Sequence, residues 1–394
     1  MNHLNGGSPV PTLPKLHGLD HLRALAIVLV LGFHYRIFAH PEWLTAVGAF
    51  GWTGVDLFFV LSGYLIATQL FGEATHRQRV SLREFFLKRS FRILPAYLLV
   101  VAVYFLVPAF RERVALPPLW RFLTFTQNFG LDLGTTGTFS HAWSLCIEEQ
   151  FYLVLPLCVA AMVRFRAEKR FAWVLLGLPV VGLLARWSSW HQFVAPRLGQ
   201  EDVALAWYQW IYYPTYNRLD GLVVGIAIAA FCHYHPAWSA RMRGYGNWWV
   251  LASAAVLTGA YFLCQDARGY AASLYGFPVV ALGYGLLLVG AISPTCFLYR
   301  LKSPVTAQLA ALSFGIYLIH KGIIHLVQGQ AEAWQVPADS NTMLGLCMVA
   351  IGSSAYVLHR VVEKPFLALR QRVLRAKQPT RTVPLVQPVQ PLEV

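Results

Sequence analysis

Charged side chains are scarce in this sequence. Asp, Glu, Lys and Arg make up 13% of 394 residues, about half of the roughly one-quarter share found in soluble domains. That shortage excludes an ordinary water-soluble globular chain. Paired cysteines are also lacking. The six cysteines are scattered, mostly within apolar stretches, and none forms a C-x-x-C pair. This excludes a disulfide framework and a thiolate metal site, and leaves them as small apolar fillers. No small-residue cleavage site follows the first apolar block, which is therefore expected to persist as a spanning helix. Acidic residues are the scarcer sign, 18 against 32 Lys and Arg, for a net charge of +14. No stretch has the composition of a soluble nucleic-acid-binding module that could use this excess, so nucleic acid is not an expected partner.

Long apolar runs are abundant: hydrophobic residues make up 57% of the chain, with blocks at 25–31, 97–107, 250–259 and 279–292. With their flanks these reach about 20 residues, enough to cross a bilayer as a helix. Peptide groups exposed to lipid must bond within their own segment, and uninterrupted runs lack the alternation of a barrel strand. The expected fold is an all-α polytopic bundle of about ten spans, centred near residues 29, 62, 101, 154, 180, 226, 256, 282, 316 and 351. The fifth and ninth are the weakest, because Arg186 cuts one short and His320, Lys321 and His325 interrupt the other. Basic residues gather in alternate connections (Arg77 to Arg92, Arg164 to Arg170, Arg241 and Arg243, Arg300 and Lys302) and after Arg370. By the positive-inside rule both termini are then cytoplasmic, although Arg111, Arg113 and Arg121 lie on the other side. Residues 1–15 form a cytoplasmic tail and 16–370 the membrane domain. Residues 371–394, basic and punctuated by Pro379, Pro384, Pro388 and Pro391, are expected to be disordered.

Ionisable residues inside spans are costly and point to function. The first span holds Arg23 and His34 with ten residues between them; that spacing puts both on one face, about 16 Å apart along the axis. Alone, Arg23 reads as a snorkelling side chain and His34 as a structural histidine. Their company alters the reading. Asp56 opens the second span, Glu148 and Glu149 sit just inside the fourth, Asn217, Arg218 and Asp220 begin the sixth, and His320 and Lys321 lie within the ninth. Charges at one depth need a shared wet cavity or mutual pairing. A histidine beside a carboxylate, Glu148 or Asp56, is the arrangement that general-base catalysis requires. Nearer the cytoplasm, Arg89 and Arg92 share a helix face and could grip phosphate, or equally anchor lipid headgroups. Glu363 ends the last span. Gly221 and Gly225 suit close helix packing. His17 and His21 have metal-like spacing without a third ligand, and no metal site is expected.

The strings LDHLRALAIVLVLGFH (19–34), GVDLFFVLSGYL (54–65), FFLKRSFRILPAY (85–97), HAWSLCIEEQFYLVLP (141–156), LSFGIYLIHK (312–321) and VEKPF (362–366) together resemble the membrane acyltransferase-3 family of bacterial glycan O-acetyltransferases. The resemblance implies ten spans in a bacterial cytoplasmic membrane, with His34 as the essential catalytic residue and Arg23 as the partner in its basic-x10-His motif. It places Ser62 and Tyr64 in the second-helix block, Arg89 and Arg92 at acyl-CoA, Trp143 and Glu148 in a Trp-Ser-Leu-x-x-Glu string, and Glu363 before the final proline. Catalysis is thus expected at His34 with Glu148 and Asp56. Substrate binding is expected at Arg23, Arg89, Arg92, Ser62, Tyr64, Trp143, Arg218, Asp220, His320 and Glu363.

The expected donor is acyl-CoA, acetyl-CoA in the family's pattern, with no permanently bound cofactor. The acceptor is a hydroxyl of a carbohydrate or glycolipid, with glycan-assembly proteins as further partners. Members with a fused periplasmic domain carry a segment not found in this sequence, so acceptor choice is expected to fall to the outer loops, whose Trp and Tyr residues could stack sugars, or to another protein. The rival is a transporter or flippase for an acyl group or lipid-linked sugar. Intramembrane charges fit it equally, but the two halves show no repeat of the polar motifs, as many transporters do.

Overall fold

The computed structural model describes residues 16–375, which form helices, turns and loops with no strand among them. Ten principal helices cover the ten expected centres: α1 His17–Tyr35, α2 Gly54–Arg77, α3 Leu82–Leu106, α4 Trp143–Phe165, α5 Glu168–Ser189, α6 Asp220–Tyr234, α7 Gly246–Leu263, α8 Phe277–Ala291, α9 Pro304–Gln328 and α10 Asn341–Leu358. Eight helical stretches among the described residues are long and apolar enough to cross a membrane. The count reaches nine if α6 and the stretch Pro236–Leu263, bent by 114° at their junction, make one span. The ten-span reading counted each of these two as a full span, but α6 has 15 residues, or about 22 Å of rise, short of the ~30 Å hydrocarbon core. After α10 a wide π turn at His359–Glu363 leads into α11, Lys364–Arg375. Helix therefore continues past the expected boundary at residue 370. The expected tail at 1–15, and residues 376–394 of the one expected at 371–394, lie outside the described residues.

Local chemistry sets several helix starts. Ser81, Ser303 and Ser340 each accept a bond from the backbone N–H three residues on, at 3.3, 3.3 and 3.1 Å, satisfying donors that a first turn leaves unpaired. Glycine governs the closest packing, that of α2 against α6. A Cβ at Gly221 would lie 2.9 Å from the Phe59 Cβ, and one at Gly225 2.6 Å from the Tyr64 nitrogen. Small residues let the two backbones touch where lipid supplies no hydrophobic drive for association.

α1 packs between α2 and α9. Its first turns meet the start of α9, where His21 bonds the Leu301 carbonyl at 2.9 Å and the Thr306 hydroxyl at 2.8 Å. Its last turn meets His320, well along α9. The two helices therefore run parallel, while α2 and α4 run the other way. This polarity gives the bundle an arginine end, with Arg23, Arg89 and Arg92, and a histidine end, with His34, His141 and His320.

Candidate active site

Three imidazoles converge at the histidine end from three different elements. His34 is on the last turn of α1, His141 in the short turn Ser140–Ala142 before α4, and His320 on α9. Their ring centroids lie 4.6 to 5.9 Å apart, and all three rings are buried. His320 Nδ1 faces the carbonyls of Tyr317 at 2.8 Å and Ile316 at 3.2 Å. Two acceptors at one nitrogen require that nitrogen to carry the proton. In the neutral ring Nε2 then holds the lone pair, and it sits 3.0 Å from His34 Nδ1. His34 must therefore donate from Nδ1, which leaves its own Nε2 as a free lone pair. His34 lines a cavity of about 170 Å³ together with His141, Trp143, Tyr212, Tyr213 and Lys321. His141 donates from Nε2 to the Leu318 carbonyl at 3.3 Å, and its Nδ1 is buried with no hydrogen-bond partner.

One cation and one acid complete this end. Lys321 Nζ lies 2.9 Å from Glu112 Oε1 and donates to Ser140 Oγ at 3.2 Å. The same Glu112 oxygen accepts the Phe139 N–H at 3.0 Å. The pair thus pins the turn that carries His141. Glu112 and His141 were missed as site residues because both lie in connections. The signal available was the His-Ala-Trp-Ser order, in which the histidine immediately precedes a helix whose first turn holds Trp143.

The arginine end has its own cavity, about 320 Å³, lined by Arg23, Ser62, Arg89, Arg92, Glu148, Tyr152, Ser144 and Tyr317 among others. The Tyr152 hydroxyl lies 2.8 Å from Glu148 Oε2 and 3.1 Å from Ser62 Oγ. The Arg89 guanidinium sits 4.8 Å above the Tyr152 ring. Arg23 and Arg92 also face a neighbouring space of about 290 Å³ with Glu363; Glu363 Oε2 is bound by His359 at 2.7 Å, and its other oxygen is buried without a hydrogen bond. Between the two ends, Ser144 Oγ lies 2.6 Å from the Tyr317 hydroxyl, which in turn bonds the His141 carbonyl. Tyr317 therefore walls the arginine cavity with its ring, while its own carbonyl orients His320.

The expected carboxylate partner of His34 is absent from these bonds. Glu148 belongs to the arginine cavity, bound to Tyr152. Asp56 is held through both oxygens by Arg218 Nη2, at 2.9 and 3.1 Å. Asp220 is held bidentately by Arg186, at 2.7 and 3.2 Å. Glu148 lies more than a turn into α4, at the level of the arginine cavity, and so is too deep for His34. Asp56 and Asp220 open α2 and α6, and their helix faces turn them towards arginines. Arg218, expected to bind substrate, is 1% exposed and lies against Phe277, Tyr212 and Trp143 at 3.9, 4.6 and 5.1 Å from their ring centroids. It braces the cavity wall from behind. Trp143 itself faces the cavity, whereas Tyr64 is buried beside Gly225 of α6 and is not among the lining residues of either cavity.

Comparison with known proteins adds to this geometry. A family model described as an acyltransferase domain matches residues 16–358. Over 339 residues the chain is 27% identical to the peptidoglycan O-acetyltransferase OatA of Listeria monocytogenes, covering 80% of this chain and 50% of that protein. It is 28% identical over 327 residues to the putative peptidoglycan O-acetyltransferase YrhL of Bacillus subtilis, 78% of this chain and 48% of that one. A putative O-acetyltransferase of Staphylococcus aureus is 23% identical over 393 residues, 93% of this chain and 59% of its own. The chain thus spans about half to three-fifths the length of these curated relatives. No solved structure matches.

Proposed function

The chain belongs to the acyltransferase-3 family, and from that premise we propose that it transfers an acyl group, acetyl by analogy with its relatives, from acyl-CoA to a hydroxyl of a cell-envelope or exported glycan. In this reading it is a multi-pass protein of a bacterial cytoplasmic membrane, with both termini and the arginine end on the cytoplasmic side. The basic connections Arg77 to Arg92, Arg241 with Arg243, and Arg300 with Lys302 support that orientation.

The observation that carries the reading is the His34–His320 bond, which leaves His34 Nε2 as a base beside a cavity. Arg89 and Arg92, with Arg23 beyond them, hold the phosphates of the donor. Its acyl-bearing arm extends past the Ser144–Tyr317 pair towards the histidines. The acceptor hydroxyl, entering from the histidine end, loses its proton to His34 Nε2 as its oxygen attacks the thioester carbonyl. The tetrahedral adduct then collapses, the C–S bond breaks, and the departing thiolate takes the proton back from the imidazolium. The purified full chain, given labelled acetyl-CoA and envelope glycan extract, should move label into glycan; label that stays in acetyl-CoA or appears only as acetate would overturn the proposal.

Replacing Arg89 or Arg92 with Ala should raise the KM for acyl-CoA about 10- to 100-fold with kcat little changed, since each lost guanidinium–phosphate bond is worth ~1.5–3 kcal/mol. Steady-state kinetics at varied acetyl-CoA checks this. His320 acts as a positioning residue through His34. His320→Ala should lower kcat about 100-fold at unchanged KM for acyl-CoA, and His320→Gln, whose amide oxygen can again accept from His34 Nδ1, should recover part of the loss. An equal defect in both variants would reduce His320 to packing.

A further inference from the structure

Beyond the His34 cavity, towards the histidine end, lies a larger space of about 630 Å³ that the transfer chemistry leaves unassigned. The two are continuous in their walls: Phe33, Trp52, Tyr208 and Tyr212 line both. The larger space adds Phe50, Trp207, Tyr261 and Phe277. Several of these rings brace one another edge to face, Phe50 on Tyr261 at 5.7 Å and Trp52 on Phe277 at 5.7 Å, and Trp207 is fixed by a 2.8 Å bond from its indole N–H to Ser273. The wall is therefore rigid and rich in aromatic faces, suited to the C–H faces of sugar rings.

Its charged side chains are Arg36, Arg268 and Asp266. Arg36 stands two residues beyond His34, where α1 ends. Its Nε is buried with no hydrogen-bond partner, and among the described residues neither Arg36 nor Arg268 has an ion pair of 4 Å or less. Asp266 turns inward on its own loop, accepting the Arg268 N–H at 3.2 Å. Both guanidinium charges also act on one ring: burial pushes the Tyr208 hydroxyl up, and Arg268 and Arg36 pull it back. Two cations without partners, converging on an aromatic wall next to the base, are poorly matched to a neutral sugar, whose hydroxyls are served equally by acids and amides. They match an anion.

We propose that this cavity is the acceptor subsite and that it selects a saccharide bearing an anionic group, carboxylate or phosphate, held by Arg36 and Arg268 while the sugar ring lies on the aromatic wall. The selection of a hydroxyl for transfer rests on the acyltransferase reading above; the binding of the anion does not. Arg36, anchored to the same helix end as His34, sets the distance from the anionic group to the reacting hydroxyl.

Equilibrium binding to the detergent-purified full chain, without donor, tests it with three ligands that share one ring chemistry: cellotetraose, cellotetraose carrying carboxylates at C6, and cellotetraose 6-phosphate. At least one charged ligand should bind tenfold or more tighter than the neutral one. Arg36→Gln and Arg268→Gln should each erase most of that difference while leaving the neutral affinity in place, and the carboxylate and phosphate arms identify the anion. Equal binding of all three, no binding of any, or a charge preference that survives both substitutions would overturn the subsite. Transfer from labelled acetyl-CoA to envelope glycan is measured alongside. Transfer with no charge preference sinks the subsite and spares the acyltransferase, whereas Arg-dependent binding without transfer does the reverse.

Discussion

His34→Ala is expected to abolish acyl transfer while leaving the bundle folded. General-base catalysis supplies about 10²- to 10⁴-fold in rate, and the neighbouring imidazoles are poor substitutes: the one lone pair they leave unbonded, at His141 Nδ1, is buried away from the cavity surface. His141 has its Nε2 committed to the Leu318 carbonyl, and His320 has Nδ1 committed to two carbonyls and Nε2 to His34. With His34 gone, the His320 lone pair loses its donor, but nothing else in the charge network breaks, because Lys321 keeps Glu112 and Ser140. The melting temperature of the solubilised protein should therefore stay close to wild type. Labelled acetyl-CoA and a glycan acceptor read the rate, and intact-mass measurement after acid quench tells whether wild-type protein carries an acyl group in transit. A folded His34→Ala protein with wild-type turnover would end the assignment, and an acyl adduct on the wild type but not on the variant would make His34 a carrier rather than a base.

The membrane fold was legible in the sequence because apolar run length is a one-dimensional property, and bilayer thickness converts it directly into helices. The weak points fell elsewhere than expected: the fifth and ninth helices, α5 and α9, are long and apolar enough to cross, whereas α6 is short and the chain bends sharply after it. The separation of Arg23 and His34 along α1 was legible as well, since rise per residue fixes it. What depth cannot give is rotation about neighbouring axes. Asp56 opens α2 at the level of His34, yet its face of the helix meets α6 and Arg218. His320, read only as a candidate substrate contact, is bonded to His34 itself. His141 and Arg36 escaped for a different reason. Each lies just outside a span, where a polar residue costs little and so carries no warning. Arg36 becomes notable only once its buried, unpaired Nε and its place beside the aromatic cavity are seen together.

The second large effect is expected at Asp56, and its sign separates structure from catalysis. Asp56 and Arg218 have side chains 2% and 0% exposed. Removing one member of such a pair strands the other charge in a low-dielectric interior, at a cost of roughly 3–5 kcal/mol. Arg218 has little recourse, because its Nε and Nη1 already lack hydrogen-bond partners and rest on aromatic faces. Asp56→Ala should thus lower the melting temperature and the yield of folded protein. Activity should fall with them, since Trp143 and Tyr212, which Arg218 braces, line the His34 cavity. Asp56→Ala combined with Arg218→Met removes both charges and keeps an unbranched side chain against the rings. It should recover most of the stability, because a buried ion pair replaced by apolar groups of similar volume is often neutral. Thermal unfolding of the two variants, with transfer assayed on the folded fraction, decides the matter. If Asp56 were the acid that serves His34, the double variant would fold and remain inactive; a structural pair predicts that turnover returns with the fold.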